Sequence, residues 1–145
     1  MIDPEDIARN RASRERLATI VRRLGDRDLA LDDDWTAGAV LAHLAFWDRV
    51  AAARIGKYLR AGKAMEFFDE VFFEYINDSA LPQWRQLAVR AAAADALESA
   101  AATDGILEHL SAEDVARLRA LDRPGLFQRF PHRTGHLDQL ERALR

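Results

Sequence analysis

In the closing stretch "FPHRTGHLDQLERALR", His132 and His136 are four residues apart, one turn of a helix, so both imidazoles could reach a single ion. No Glu follows the first His, so the pair lacks the built-in general base of a zincin protease. The chain contains no cysteine, which excludes disulfides, thiolate metal sites and a cysteine nucleophile. Any metal must therefore be held by His, Asp or Glu. Following the helical wheel, His132 and His136 continue into Leu140 and Ala143, with Leu137 and Leu144 on the flanks. The imidazoles extend an apolar stripe that must face the interior. Two buried imidazolium ions would be costly, and neutral imidazoles need partners for both ring nitrogens; a shared metal provides one for each.

A third imidazole occupies a comparable position. His43, in "VLAHLAFWDRV", lies on an apolar face with Ala39, Val40, Leu44 and Trp47. Three neutral nitrogens from two facing helices leave coordination positions open, as in catalytic rather than structural sites. Zn²⁺, Ni²⁺ or Fe²⁺ suits such a donor set, with zinc expected first; Ca²⁺ and Mg²⁺ do not suit it. His109, in "GILEHLSAED", is expected at a helix C-terminus, outside the site. Asp48 and Asp138 do not project from the faces of their neighbouring histidines and read as solvated acids, with a hydrogen bond to an imidazole as the alternative.

The elements that would position these residues are helical. Asp3 and Pro4 are suited to the N-cap and first position of a helix whose stripe includes Ile7, Leu17, Ile20, Val21 and Leu24 and which ends at Gly25. Thr36 should cap a second helix that runs to about Ala61, with Gly62 behind it. "AMEFFDEVFFEYINDSA" predicts a short helix with Phe68, Phe72 and Tyr75 on one face. Pro82 is expected to open a long Ala-rich helix reaching about Leu110. "SAED" at Ser111–Asp114 resembles a capping box for a further short helix, and Pro131 should begin the last helix. These elements predict an all-α single domain over residues 1–145. Its architecture should be a four-helix bundle with a long crossover between the second and third main helices, plus one or two short helices.

Beyond periodicity, "DWTAGAVLAHLAFWDRV" resembles the second-helix signature of the DinB-like superfamily, with a Trp before the cap and then a His followed by an aromatic-rich turn. "HRTGHLDQLERAL" resembles that superfamily's closing H-x-x-x-H helix, and Asn77 in "EYIND" matches an Asn often seen after the crossover. The resemblance spans essentially the whole chain. It implies a crossover four-helix bundle, commonly dimeric, with a divalent metal on three His, which by position would be His43, His132 and His136. The superfamily includes mycothiol-dependent maleylpyruvate isomerases, bacillithiol and glutathione transferases, and a branch that hydrolyses cyclopropane-bearing toxins. The isomerase branch uses a Glu among its ligands, whereas both positions of the closing motif here are His.

The expected function is metal-dependent chemistry on a small electrophile, either thiol transfer or isomerisation with a low-molecular-weight thiol, or hydrolysis. The alternative is a non-catalytic metal- or ligand-binding module that sequesters its ligand. Trp47, one turn from His43, and the segment carrying Tyr75 and Asn77 are candidate pocket residues. Asn10 and Arg14 join them because they interrupt the inward stripe of the first helix. Net charge is −3, and the basic residues are scattered among acids, which gives no electrostatic case for nucleic acid or an anionic membrane. A small-molecule substrate, a homodimer and a cytoplasmic location, without a membrane span or signal-peptide core, complete the expectations.

Overall fold

Four of the six helices start where a neighbouring side chain accepts from a first free N–H group. In the computed structural model, which describes all of residues 1–145, the Asp3 carboxylate accepts from Glu5 N and opens α1 (Pro4–Leu24). α2 (Ala37–Ala61) starts with two acceptors: Thr36 Oγ1 takes Ala39 N at 3.1 Å and Asp28 takes Gly38 N at 2.7 Å. A side chain at position 38 would press on that aspartate, since a Cβ there would lie 3.1 Å from its Oδ1. α2 ends at Gly62, whose φ of 64° is the left-handed cap glycine favours. Asp69 caps α3 (Glu70–Trp84) through Phe72 N, and Ser111 caps α5 (Ala112–Arg119) through Asp114 N.

α4 (Val89–Glu108) follows a break after α3, and a 3-10 turn over Pro124–Phe127 leads into α6 (Phe130–Ala143). The fold is all-α: there is no strand, only a single bridge between Ala30 and Thr36. No helix is long and apolar enough to cross a membrane.

The course of the chain around Pro82 differs from the sequence expectation. Pro82 lies in the last turn of α3, and the long Ala-rich helix begins only at Val89. A proline near a helix end disturbs few hydrogen bonds, so α3 continues for two more residues before stopping. α3 also turns a different face inward. Phe73, Asn77, Ala80 and Trp84, spaced three or four apart, lie at least partly buried, whereas Phe72 and Tyr75 are exposed.

α2 packs most extensively on α4, through alanines that let the backbones approach: Ala37, Ala42 and Ala45 on one side, Ala92, Ala96 and Ala100 on the other. α1 packs on α4 and α6, and α6 on α2, which closes a circuit of four helices; α3 packs on α2. The interior is split in two. One apolar cluster contains Leu17, Ile20, Leu41, Leu44, Leu137 and Leu140. A smaller one contains Ile2, Ile55, Leu107, Leu118 and Phe127. Between them runs a buried polar layer of Asn10, Ser13, Asp48, Thr103, Asp104 and Arg133.

Asn10, expected at a pocket, is instead the clamp for the start of α6. Its Oδ1 accepts from Arg129 N at 2.8 Å and Phe130 N at 3.0 Å, and its Nδ2 donates to Phe127 O at 3.0 Å. α6 has no side-chain cap of its own, so a residue from α1 acts as one. Replacing Asn10 by Ala strands two donors and one acceptor away from water. The expected loss is about 2–3 kcal/mol, read as a lower urea midpoint at unchanged m-value.

Candidate metal centre

α2 and α6 place three imidazoles together. His43 Nε2 lies 2.9 Å from His132 Nε2, and the ring centroids of His43 and His136 are 4.6 Å apart. One ligating nitrogen from each of the three lies within 4.8 Å of the others, so the group could hold a metal ion. Nitrogens each about 2.0–2.1 Å from one tetrahedral ion stand roughly 3.4 Å apart, a spacing that these separations bracket. The donor set fits in its protonation as well. Burial holds His43 far below its ordinary value, at about 3, with the neighbouring His136 adding to the effect and the nearby Asn77 amide opposing it. Burial also pushes His132 down to about 2, helped by the other two histidines and by Arg129 and Arg133. His136 is lowered by burial, against a hydrogen bond to Gln139. All three are therefore neutral at physiological pH, each with a lone pair on one ring nitrogen. His43 Nδ1 is buried and makes no hydrogen bond, and Nε2 faces His132.

The desolvation has a visible source. All three tryptophans of the chain surround His43, with Trp35 and Trp84 each edge-on at 5.4 Å and Trp47 at 6.4 Å. Beyond the histidines opens a cavity of about 740 Å³, walled by Trp35, Trp47, Phe73, Asn77, Arg54 and Arg129 among others. Trp47 Nε1 donates to Asn77 Oδ1 at 2.9 Å, which ties α3 to α2 over this space.

Of the residues read as pocket candidates, Trp47 and Asn77 line the cavity, and Asn10, Arg14 and Tyr75 do not. Arg14 pairs with Asp104 at 2.7 Å, within the charged layer between the helices. Tyr75 is 64% exposed, because it lies on the outer face of α3. His109 is exposed at the end of α4, where its Nδ1 contacts Gly105 O, apart from the other three. Asp138 is a surface acid paired with Arg16.

Asp48 is neither solvated nor bonded to a histidine. It is 1% exposed; its Oδ1 accepts from Arg129 Nε at 2.9 Å and its Oδ2 from Arg133 at 3.2 Å. Arg133, between the two histidines of α6, is fully buried. It forks onto both oxygens of Asp104 at 2.8 and 2.9 Å and donates to Ser13 Oγ. This network escaped the reading of the sequence, as did Arg54, Phe73, Gln139 and Arg129 in the cavity wall. The signal was present: Arg133 lies on the stripe of Leu137 and Leu140, and Asp48 on that of Leu44 and Ile55.

Comparison with protein-family models, with curated proteins and with solved structures returned no match. The site therefore rests on its own geometry.

Two outcomes follow from that geometry. Arg133→Met leaves Asp48 and Asp104 facing an apolar side chain and should cost about 3–5 kcal/mol in chemical unfolding. The depressed histidines also set a pH dependence. Below about 6.5 the unfolded chain takes up protons that the folded chain refuses, so the metal-free protein should lose stability steadily as pH falls from 6.5 to 5. Urea midpoints measured in chelator at pH 7.5, 6.5 and 5 check the sign; a flat series would contradict the burial of neutral imidazoles.

Proposed function

We propose that His43, His132 and His136 bind a divalent metal ion, and that the protein is a metal-dependent enzyme acting on a small electrophile in the adjoining cavity. One observation carries this reading: three neutral, convergent imidazoles border a chamber large enough for a small molecule, and no fourth protein ligand joins them. A structural metal site is normally closed by four protein ligands. Imidazole donors favour zinc, with nickel or iron as alternatives. An ion held there would supply a Lewis acid that favours the deprotonated form of a thiol or of water at neutral pH. The resemblance to DinB-like proteins, and the circuit of α1, α2, α4 and α6 with α3 in the connection from α2 to α4, support a crossover four-helix bundle as the scaffold.

The chain's own residues account for the other requirements. Trp35, Trp47 and Trp84 exclude water from one side of His43, and Trp47 with Phe73, centroids 4.9 Å apart, makes an apolar wall for a substrate. Gln139 holds the His136 ring through Nδ1 at 3.3 Å. Asp48 cannot act as a base here, since two guanidinium groups hold its carboxylate. The acids that line the cavity are Asp32 and Asp33, both exposed. So sparse a supply of proton acceptors favours a second reading, a module that binds and sequesters its ligand without turnover.

Elemental analysis of protein purified without chelator or a metal-affinity column decides first. The expected result is about one zinc, nickel or iron ion per chain, lost in His136→Ala and His132→Ala while helicity is retained. Absence of metal from the unmodified protein would sink both readings. Metal-dependent consumption of a thiol by an activated aryl halide, abolished with the metal, selects the enzyme. A loaded protein inert toward thiols and hydrolysable electrophiles selects the binding module.

A further inference from the structure

Arg54 lines the same cavity from the far end. Along α2 the residues His43, Trp47, Val50, Ala51 and Arg54 line one wall, and the first and last are eleven positions apart. At 1.5 Å per residue their backbones are about 16 Å apart, a span that two inward-reaching side chains reduce to the length of a small organic molecule. We propose that Arg54 is the binding residue for an anionic group, a carboxylate or its equivalent, on the molecule whose other end lies at the three histidines. This deepens the proposed function by naming a substrate class, and it rests on the cavity being the binding site.

The charges around Arg54 carry the argument. Two guanidinium groups line the cavity, and only one has an ionic partner. Arg129 pairs with the buried Asp48 at 2.9 Å. Arg54 forms no ion pair: it donates to the Glu66 backbone carbonyl, and its Nε is buried without a hydrogen-bond partner. Its guanidinium lies over Phe67 and Phe68 at 5.1 and 5.5 Å, which fixes its plane without supplying charge. Burial and the positive charge of Arg129 both work against its ionised form. A half-buried cation beside another cation, with an idle donor, lacks the anion that a planar guanidinium fork is shaped to take.

The cavity also has a polarity. Asp32 and Asp33 line it with Trp35, which stands edge-on to His43, whereas Arg54 stands further along α2 and the apolar Phe73 of α3 packs on Trp47. An anion is repelled at the acidic rim and attracted at the Arg54 end, with the Trp47–Phe73 wall between. The matching ligand is a small molecule with an anionic terminus, an apolar or unsaturated middle and its reactive end toward the histidines.

The test uses ω-phenylalkanoates of three to six carbons against the corresponding primary amides, titrated into the protein as purified and followed by tryptophan fluorescence. The acid of best length should bind roughly tenfold or more tightly than its amide. Arg54→Gln should erase that preference, Arg54→Lys should keep part of it, and Arg49→Gln, on the outside of α2 paired with Asp95, should leave it intact. Equal affinity for acid and amide, no saturable binding of any acid, or a preference that survives in Arg54→Gln overturns the proposal. If Arg54→Gln fails to fold, Arg54→Lys decides: a carboxylate affinity undiminished by loss of the fork overturns it. Metal content measured on the same samples separates the two readings. A metal-free protein that still prefers acids through Arg54 keeps the anion site and rejects the metal, and a loaded protein indifferent to charge does the reverse.

Discussion

The fully buried guanidinium of Arg133 is the constraint on which the site depends. It joins α6 to Asp48 of α2, Asp104 of α4 and Ser13 of α1, so one side chain registers four helices against each other. Apolar packing alone would not do this for α6, a short helix whose buried apolar residues are Leu137 and Leu140. Two buried leucines contribute about 3–6 kcal/mol of burial, but that attraction has no direction. A bidentate ion pair does. A slip of one residue turns a helix by about 100° and would carry His132 and His136 away from His43. Replacing the whole network by well-packed apolar residues could leave stability unchanged and still lose this phase, which is where buried ionic groups are most useful.

The two helices that supply the histidines share a plan. On α2 the cavity stripe runs His43, Trp47, Arg54, and one residue later runs the packing stripe Leu44, Asp48, Ile55. On α6 the cavity stripe is His132, His136, Gln139, again followed one residue later by Arg133, Leu137, Leu140. Adjacent stripes diverge by about 100° on a helix, so the packing stripe points between the helices while the other looks out over the cavity. Each histidine is thus backed by the residue that fixes its helix. The polar layer separates the two apolar clusters at the level where Asp48 meets Arg133 and Arg129, immediately beside the imidazoles.

That plan explains what the sequence discloses and what it conceals. The all-α character, the caps at Asp3, Thr36 and Ser111, and the trio of histidines are legible, because each follows from local chemistry or from apolar periodicity. Asp48 and Arg133 are concealed, because a charged residue is by default solvated and these two are 85 positions apart. Each appears on its own helix as a blemish in an apolar stripe; only the fold makes them partners. Asn10 and Arg14 were visible as inward polar residues, but sequence cannot distinguish a pocket lining from a tertiary cap or a buried ion pair. On α3 the aromatic density of "FFDEVFFEY" favoured Phe72 and Tyr75, when the inward phase is that of Phe73 and Asn77.

The charge balance around the cavity extends the same logic to function. Within the polar layer every charged side chain has an ionic partner, three guanidinium groups sharing two carboxylates: Arg133 with Asp48 and Asp104, Arg129 with Asp48, Arg14 with Asp104. Where every buried guanidinium of the layer touches a carboxylate, one that touches none is informative. Arg54 is that exception, and it stands on the stripe that carries His43, facing the same chamber. The interior network is self-sufficient and fixes geometry, whereas the cavity stripe ends in two unmet demands. At one end three neutral imidazoles offer lone pairs, and at the other a guanidinium offers donors. In the proposed reading a metal ion meets the first demand and the anionic end of a ligand the second, and the cavity of about 740 Å³ that both border is of the size that small-molecule sites require.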